Sequence, residues 1–322
     1  MSGSGGYAAR LSEYKNKGVV GLTEKFDNSR VLEAKLAKLH SLFVSSKSIV
    51  VLTGAGISTS AGIPDFRGPK GIWTLEEKEK NNLKKKRKGA SETKSKKQKK
   101  STNESAEFGS LVTVDDDTLS ALSAHSALPT TTSSSSPPPP SPNLFQVVPP
   151  TPTHLALASL VKQNHISHII TQNVDGLHIR SGVPRSNLSI LHGDCFTEKC
   201  ELCSKEYFRD FDIGGVSFKL TGRHCEEPNC NGALRDTILD WEDELPEEDF
   251  ALAEEKCEQA DLVLALGTSL RIIPAGQLPL KAKKFVVVNL QVTPYDSKAE
   301  LCIAAKVDEV MVDLCSGLGV KF

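Results

Sequence analysis

The chain has 322 residues, of which 25% are charged and 39% hydrophobic, and its formal net charge is −1. These averages are typical of a soluble globular protein with one large domain or two smaller ones. No run of 18 apolar residues occurs, and the first thirty residues mix charges with glycines, which argues against a membrane span or an export signal. Because nothing places the eight cysteines in an oxidising compartment, we expect them to be reduced and consider metal binding first.

The near-zero net charge hides a strongly basic segment. Residues 78–100 hold twelve Lys or Arg and two Glu, a net charge of +10 that leaves −11 for the rest of the chain. Fourteen consecutive Ser, Thr or Pro residues follow at Pro129–Pro142. This composition cannot bury enough apolar surface to offset the entropy of ordering, so it predicts a disordered insertion over residues 79–143.

Outside this insertion, strand-like and helix-like segments alternate. Short apolar runs rich in Val and Ile are typical of parallel strands buried on both faces, and they occur at Ser48–Thr53, His168–Thr171, Leu262–Leu266 and Phe285–Asn289. Helix-like patterns cover Val31–Val44, Thr153–Gln163 and Glu247–Gln259. The alternation predicts an α/β fold with a Rossmann-like, doubly wound parallel sheet, whose ligands bind beyond the carboxyl ends of the strands.

A glycine-containing turn follows the first predicted strand, with the sequence Gly54-Ala55-Gly56-Ile57-Ser58-Thr59. A Gly-x-Gly turn that opens a helix lets the backbone and the positive end of the helix dipole approach a pyrophosphate. The motif is weak evidence by itself, because Thr59 replaces the third glycine of the dinucleotide fingerprint and no second strand ending in Asp or Glu follows. A turn used only for packing is the alternative.

Amide and hydroxyl side chains follow the other three strands. The second strand leads into Gln172, Asn173 and Asp175, the third into Gly267-Thr268-Ser269, and the fourth into Asn289-Leu290-Gln291. Such groups can hydrogen-bond ribose hydroxyls and a carboxamide such as that of nicotinamide. Arg67 is the one cation that we place near phosphates, and the absence of a P-loop motif argues against a P-loop NTPase.

Four cysteines have the spacing of a structural metal site. Cys200-x2-Cys203 is followed by Cys225-x4-Cys230, and two such pairs can close a tetrahedral thiolate site around one zinc ion, with Tyr207–Phe218 folding back as a hairpin. Four protein ligands leave no open position for catalysis. His224 is a possible substitute ligand, and four unrelated buried thiols are the alternative. The remaining cysteines are expected to be small buried hydrophobes, and they are Cys195, Cys257, Cys302 and Cys315.

Six motifs, in chain order GAGIS, GIPDFRG, TQNVDGLH, LHG, GTSL and VNLQ, resemble those of the sirtuins, the NAD-dependent protein deacylases. The resemblance covers nearly all of residues 1–78 and 145–322. GIPDFRGPKGIWT, YAARLSEYKNKGVVGL and TILDWEDELP are similar to the class IV nuclear branch, the sirtuin-six kind. The chain departs from that branch in its insertion after Trp73, its shortened zinc module, and its end at Phe322 without an extended tail.

Together, composition, cysteine spacing and the resemblance predict a Rossmann-like domain in three parts with two inserted segments. The Rossmann-like parts are residues 1–78, which include an N-terminal extension, 144–195 and 237–322. The disordered insertion covers 79–143, and a small zinc-binding module covers 196–236.

The resemblance also implies roles for individual residues. His192 would be the general base, although in the sequence by itself a structural histidine is the commoner reading. Asn173 would position the ribose and a water molecule, Asp175 would lie near the nicotinamide carboxamide, and Trp241 would form a wall of the acyl-lysine tunnel. The implied NAD contacts are Gly54, Ala55, Gly56, Thr59, Ile63, Asp65, Phe66, Arg67, Trp73, Gln172, Gly267, Thr268, Ser269, Asn289, Leu290, Gln291 and Val307.

The predicted function is NAD-dependent deacylation of lysine in histones or other proteins, on acetyl and long-chain acyl groups, with chromatin or nucleosomes as partners. The basic run KKKRKGASETKSKKQKK resembles a bipartite nuclear-import signal, so we predict a nuclear protein whose insertion can contact DNA; a solvated charge block without a partner is the alternative. Three other functions remain open: a mono-ADP-ribosyltransferase using the same site, a catalytically weak zinc-stabilised chromatin scaffold, and a disfavoured nicotinamide oxidoreductase.

Overall fold

The predicted apolar runs are strands of one sheet. A computed structural model describes residues 7–14, 17–98 and 148–322. The described strands are β1 Ile49–Thr53, β2 His168–Thr171, β3 Leu188–Ile190, β4 Thr197–Cys200, β5 Glu206–Phe208, β6 Leu220–His224, β7 Ala233–Asp236, β8 Leu262–Leu266, β9 Phe285–Val288 and β10 Leu301–Ile303. The described α-helices are α1 Ser29–Ser45, α2 Ile72–Gln98, α3 Pro152–Lys162, α4 Leu177–Arg180, α5 Glu247–Gln259 and α6 Val307–Leu318.

The larger sheet confirms the predicted Rossmann-like fold. Its strand order is β10-β9-β8-β1-β2-β3, and every neighbouring pair runs parallel. Counted by themselves along the chain, these six strands have the doubly wound order 3-2-1-4-5-6. From β1 the strands β2 and β3 are added toward one edge of the sheet, and β8, β9 and β10 are added toward the other edge. The crevice for a ligand is therefore expected at the carboxyl ends of β1 and β8, where this order switches.

Side chains of the central strand alternate between two apolar cores. Val51 packs with residues from α1, α3 and α6 on one face of the sheet. Val50 and Leu52 pack with α5 and the 3₁₀ segment Ala275–Lys281 on the other face. Because helices cover both faces, β1 is fully buried and its sequence is continuously apolar rather than alternating.

Capping side chains fix where two of these helices begin. The Asn28 side chain accepts a hydrogen bond from the Val31 backbone N–H at 3.0 Å, which starts α1. Thr151 caps α3, with Pro152 in the first turn, where its missing N–H costs nothing. All three predicted helices are present, and their ends lie within two residues of the predicted ones.

The cysteine-containing segment forms a separate antiparallel sheet. Its order is β5-β4-β7-β6. The predicted hairpin over Tyr207–Phe218 is wrong, because β5 pairs with β4 and β6 pairs with β7, so the segment connects opposite edges of this sheet. Near its end the segment turns inward, where Val216 packs with Cys195 and Phe196.

The beginning of the predicted insertion differs from the prediction. Residues 79–98 belong to α2, because Lys, Glu, Leu and Gln favour a helix even where little apolar surface is available to bury. The rest of the predicted disordered segment, residues 99–143, lies outside the described residues. By internal contacts the chain divides into two units, Met1–Glu77 with Pro142–Phe322, and Lys78–Ser141. Within the described parts, every helix is too short or too polar to span a membrane.

Candidate functional site

The turn after β1 has a different form from the predicted one. Residues Ala55–Ile57 and Thr59–Ala61 form two short 3₁₀ turns instead of an α-helix. Gly62 ends the second turn at a φ of +87°, and Pro64 follows it. Both residues oppose helix continuation, so the prediction that this glycine turn opens a helix is wrong. The turn lacks the dipole of an α-helix, and the N–H groups of Gly54, Gly56, Ile57 and Ser58 already donate to backbone carbonyls.

Close packing between two strand ends requires the glycines of this turn. A Cβ on Gly54 would lie 2.8 Å from the Cβ of Thr268, and a Cβ on Gly56 would lie 2.8 Å from the Cα of Gly267. The Gly56 N–H also donates to the Gly267 carbonyl at 2.8 Å. The packing alternative thus accounts for both glycines, and their contact with a pyrophosphate stays a prediction.

Ser58, Asn173 and Asp175 form one hydrogen-bonded network between the β1 and β2 turns. The Ser58 hydroxyl donates to Asp175 Oδ2 at 2.6 Å, and Asn173 Nδ2 donates to Ser58 Oγ at 3.3 Å and to the Gly54 carbonyl at 3.2 Å. Asp175 Oδ1 also accepts the Leu177 N–H at 3.0 Å. Asn173 and Asp175 are both buried, so these bonds hold an amide and a carboxylate in fixed positions at the crevice floor.

Gln172 connects the turns of three strands. Its side-chain amide donates to Thr268 Oγ1 at 2.9 Å, and its backbone carbonyl lies 3.1 Å from His192 Nδ1. Because a carbonyl only accepts, Nδ1 of His192 must carry the proton, and Nε2 is the unprotonated nitrogen of the neutral ring. The structure therefore prepares Nε2 of His192 to accept a proton.

The environment of His192 also keeps its ring neutral. Burial lowers the pKa of His192 below its ordinary value, although the hydrogen bond to the Gln172 carbonyl opposes this shift. The His192 carbonyl accepts the Leu239 N–H at 3.2 Å. Gly193 has a φ of +78°, and a Cβ there would lie 1.8 Å from the Thr237 carbonyl oxygen. Only glycine fits at this position, so the loop that carries His192 is pressed against the segment after β7.

Two buried histidines, His178 and His154, support the end of β1. His178 Nε2 lies 2.9 Å from Thr53 Oγ1, and the rings of His178 and His154 are 4.8 Å apart. Burial lowers the pKa of both imidazoles to about 3, so both are neutral at physiological pH. This pair is buried structure and holds the strand end that precedes Gly54.

The loop between the glycine turn and α2 is fixed by its own side chains. Asp65 Oδ1 accepts the Gly68 N–H at 2.9 Å, and burial raises the pKa of Asp65. The Arg67 guanidinium stacks 4.4 Å from the centre of the Trp73 ring, and burial lowers the pKa of Arg67 to about 10. Asp65 therefore shapes the loop, while Arg67 remains cationic at neutral pH, as a phosphate contact requires.

Aromatic rings from three parts of the chain meet beside this loop. Trp73 lies 5.0 Å from Phe66, 5.9 Å from Tyr14 and 5.3 Å from Trp241 between ring centres. Tyr14 stacks on Trp241 at 4.5 Å, and the Trp241 indole N–H donates to the Ser12 carbonyl at 3.0 Å. We call Tyr14, Phe66, Trp73 and Trp241 the aromatic cluster. It joins the N-terminal segment to the predicted cofactor and substrate loops.

The other predicted NAD contacts occupy different environments. Asn289 Nδ2 donates to the Gln291 carbonyl at 2.8 Å, and the Leu290 carbonyl accepts the Lys25 N–H at 2.8 Å. Ile63 and Val307 have buried side chains, so their backbone atoms are the ones that remain for a ligand. Thr59 is exposed, while Ala55 and Ser269 are partly exposed at the ends of β1 and β8.

Four cysteine sulfurs converge on one point of the smaller sheet. Sγ atoms of Cys200, Cys203, Cys225 and Cys230 all lie within 4.8 Å of one another. This donor set fits Zn²⁺, which binds four thiolates tetrahedrally in structural sites. His224 is not part of the cluster, so the predicted four-cysteine ligand set fits and the substitute ligand is unnecessary.

Sequence comparison assigns the family. A family model described as the Sir2 family matches residues 54–128 and 141–274, more than half of the chain. The chain belongs to the Sir2 family. In this Sir2 chain the matched region contains the glycine turn, the Asn173 and Asp175 network, His192 and all four clustered cysteines.

Relatives of this Sir2 chain carry deacetylase names. It is 42% identical to the NAD-dependent protein deacetylase SRT1 of Arabidopsis thaliana over 98% of this chain and 56% of that protein. It is 37% identical to Sirt6 of Drosophila melanogaster over 98% of this chain and 85% of that protein, and 32% identical to human sirtuin-7 over 92% and 63%. The chain thus spans little more than half the length of the plant relatives it matches.

Solved Sir2 structures have the same fold. A Sir2 complex with a deacetylated p53 peptide and 3′-O-acetyl ADP ribose is 26% identical, with a TM-score of 0.57 over 89% of this chain and all of that one. A Sir2 complex with a p53 peptide and NAD⁺ is 25% identical, with a TM-score of 0.54 over 88% of this chain and 99% of that one.

Two parts of the candidate site were missing from the sequence prediction. Ser58 lies within the motif GAGIS, but only the structure shows that its hydroxyl joins Asn173 to Asp175. Tyr14 lies within the N-terminal motif YAARLSEYKNKGVVGL, which by itself indicates no role for it, and the structure places its ring on Trp241. A hydroxyl directly after a glycine turn was the available signal for Ser58. No local pattern indicates that residue 14 meets residue 241.

Proposed function

We propose that this Sir2-family protein is an NAD-dependent protein-lysine deacylase that releases nicotinamide and acyl-ADP-ribose. The observation that carries the proposal is the neutral His192 ring, whose Nδ1 is bonded to the Gln172 carbonyl and whose Nε2 is left as an acceptor. The Asn173, Asp175 and Ser58 network lies at the neighbouring strand end. The relatives named as deacetylases support the same activity.

The residues at the strand ends fit NAD as a ligand. Amide, hydroxyl and backbone groups can bond the ribose hydroxyls and the carboxamide, and Arg67 can balance phosphate charge. When bound, NAD supplies a ribose carbon that gives up nicotinamide and accepts the acyl oxygen of the substrate lysine. In our proposal His192 removes a proton from a ribose hydroxyl through Nε2. Asn173 positions the ribose and a water molecule, and Asp175 holds the carboxamide together with the backbone of Ile63.

A product assay distinguishes this activity from its alternatives. The protein is incubated with NAD and an acyl-lysine histone peptide, and the products are identified by mass spectrometry. Nicotinamide with acyl-ADP-ribose supports the deacylase, whereas ADP-ribose attached to protein indicates the transferase. Formation of NADH indicates an oxidoreductase, and the absence of turnover supports a zinc-stabilised scaffold.

The aromatic cluster supports a preference for long acyl chains. Trp241 stacks on Tyr14 and lies at a tilted angle beside Trp73, and Glu242 replaces the glycine that most family members have after the aromatic residue. An apolar wall of this kind gains free energy for each buried methylene group, roughly 0.8 kcal/mol. We therefore propose weak deacetylation of free peptides and better turnover of long acyl groups or of histones in chromatin.

Replacing Trp241 by Ala tests the wall. We expect kcat/KM for a myristoyl peptide to fall by at least about 10-fold more than kcat/KM for an acetyl peptide, because only the long chain reaches enough indole surface. Trp241→Phe is the matched control and should retain most of the preference. Equal losses of kcat/KM on both peptides would show that Trp241 does not determine the preference for long acyl chains.

We also propose that the basic run of residues 84–100 directs the protein to the nucleus and contacts nucleic acid or acidic histone surface. Its net charge and helix-forming composition support this, since a dense basic segment is attracted to phosphate. Deleting residues 79–143 is expected to abolish nuclear accumulation while leaving peptide deacylation unchanged. A second variant, with Gln in place of each Lys and Arg of residues 84–100, keeps the length of the segment and removes its charge. Unchanged location in both variants would refute the targeting role.

A further inference from the structure

We infer that the phenol of Tyr207 is a positioning group for the metal site, and that its O–H donates to the Cys225 sulfur and thereby slows zinc release. The inference depends on the four-cysteine zinc site and does not depend on the proposed deacylase activity. Tyr207 lies on β5, outside the cysteine ligand set.

Hydrogen-bond geometry determines the direction of this contact. Tyr207 Oη lies 3.1 Å from Cys225 Sγ, and the same oxygen accepts the Glu226 N–H at 2.9 Å. A zinc-bound thiolate has no proton to donate. Because the phenol has one proton and one of its lone pairs is already used by Glu226, its O–H is the donor toward sulfur.

A network of charged groups holds the Tyr207 ring in place. The Arg209 guanidinium lies 4.9 Å from the ring centre. Arg209 also donates to Glu198 and to Glu226, each at 2.7 Å, and the Glu198 side chain is fully buried. Glu226 directly follows Cys225, so the ring, the guanidinium and the metal ligand belong to one closed set of contacts.

The chemistry of four thiolates explains why such a donor matters. Zn²⁺ with four thiolates carries a net charge of −2, and a hydrogen bond to one sulfur offsets part of that charge and opposes its protonation. Cys200 Sγ receives a comparable bond from the Leu202 N–H at 3.4 Å, whereas Cys225 receives its bond from a side chain that can be replaced. Loss of a partner of this type typically weakens metal binding by about 10–100-fold.

The test measures zinc transfer from the full chain to a coloured chelator. Tyr207→Phe keeps the ring and its stacking but removes the O–H, and we expect zinc release about 10-fold faster or more. Tyr295→Phe is the matched control, since it removes a phenol far from the cysteines in sequence and leaves the β5 edge intact. With saturating Co²⁺ in place of zinc, the sulfur-to-metal charge-transfer band should shift to lower energy in Tyr207→Phe and stay in place in Tyr295→Phe.

A second variant protects the test against a folding defect. Arg209→Lys keeps the charge but loses the planar group that stacks on the ring and bridges both carboxylates, so it should also accelerate release and shift the cobalt band in the same direction. Wild-type release rates and an unshifted cobalt band in both variants would overturn the inference. Neither readout requires deacylation, so failure here and failure of the proposed activity can be told apart.

Discussion

Replacing His192 by Ala is expected to lower kcat/KM for NAD-dependent deacylation by roughly 10²–10⁴-fold, the range typical for loss of a positioned general base. The reason is local, because Nε2 is the unprotonated nitrogen and Nδ1 is already bonded to the Gln172 carbonyl. The measurement is steady-state nicotinamide release with an acyl-lysine peptide. His165→Gln, in the turn after α3 and at the opposite end of β2, is the matched control and should retain activity.

The pH dependence of kcat/KM supplies a second readout of the same base. Burial lowers the pKa of His192, so the neutral, active form persists at acidities where an ordinary imidazole, with a pKa of about 6.5, is already protonated. Activity is therefore lost as the pH falls through a value below about 6.5. A fall of kcat/KM on acidification that is centred well above pH 7, or near-wild-type activity of His192→Ala, would contradict the assignment of His192 as the base.

Removing zinc is expected to unfold the smaller sheet and to abolish most activity. Structural zinc sites commonly contribute about 10 kcal/mol or more to folding, so Cys200→Ala should lose its metal and melt at a much lower temperature. Activity should fall as well, because the Asp194 N–H donates to Thr237 Oγ1 at 3.1 Å and the Leu239 N–H donates to the His192 carbonyl, so these bonds couple the module to the loop that carries His192. Elemental analysis and thermal denaturation measure both effects.

Two control variants isolate the metal effect. Cys302→Ser changes a cysteine outside the cluster, and His224→Gln changes the exposed neighbour of Cys225. Both should retain one zinc ion per chain and deacylation activity. A Cys200→Ala protein that keeps one zinc ion and the wild-type melting temperature would disprove the four-cysteine site.

Much of the fold was predictable because burial leaves a strong sequence pattern. The strand His168–Thr171 and the helix Glu247–Gln259 have the same bounds in the prediction and in the structure. The strand β10 has only three residues, too short a run to be assigned. The helix α6 was not predicted, although its buried residues Val307, Val310, Met311 and Leu314 recur at helical spacing. Composition also misjudged residues 79–98, since helix propensity does not require a buried face.

The candidate site was predictable in part for a similar reason. Gln172 follows β2 and Thr268 follows β8, the two strands that flank β1, and the doubly wound topology brings these strand ends to the same edge of the sheet. Contacts between distant segments left no such signal. The stacking of Tyr14 on Trp241 and the bond from Tyr207 to Cys225 depend on tertiary packing that no local period encodes.

The fate of the acyl oxygen tests the central proposal most directly. A peptide with ¹⁸O in the acyl-lysine carbonyl is turned over with NAD, and the acyl-ADP-ribose is analysed by mass spectrometry. If the carbonyl oxygen attacks the ribose, the label is found on the ADP-ribose part of the product, and the acyl group carries oxygen from water. Label that remains in a free carboxylic acid, with no acyl-ADP-ribose formed, would show simple hydrolysis and contradict the proposed function.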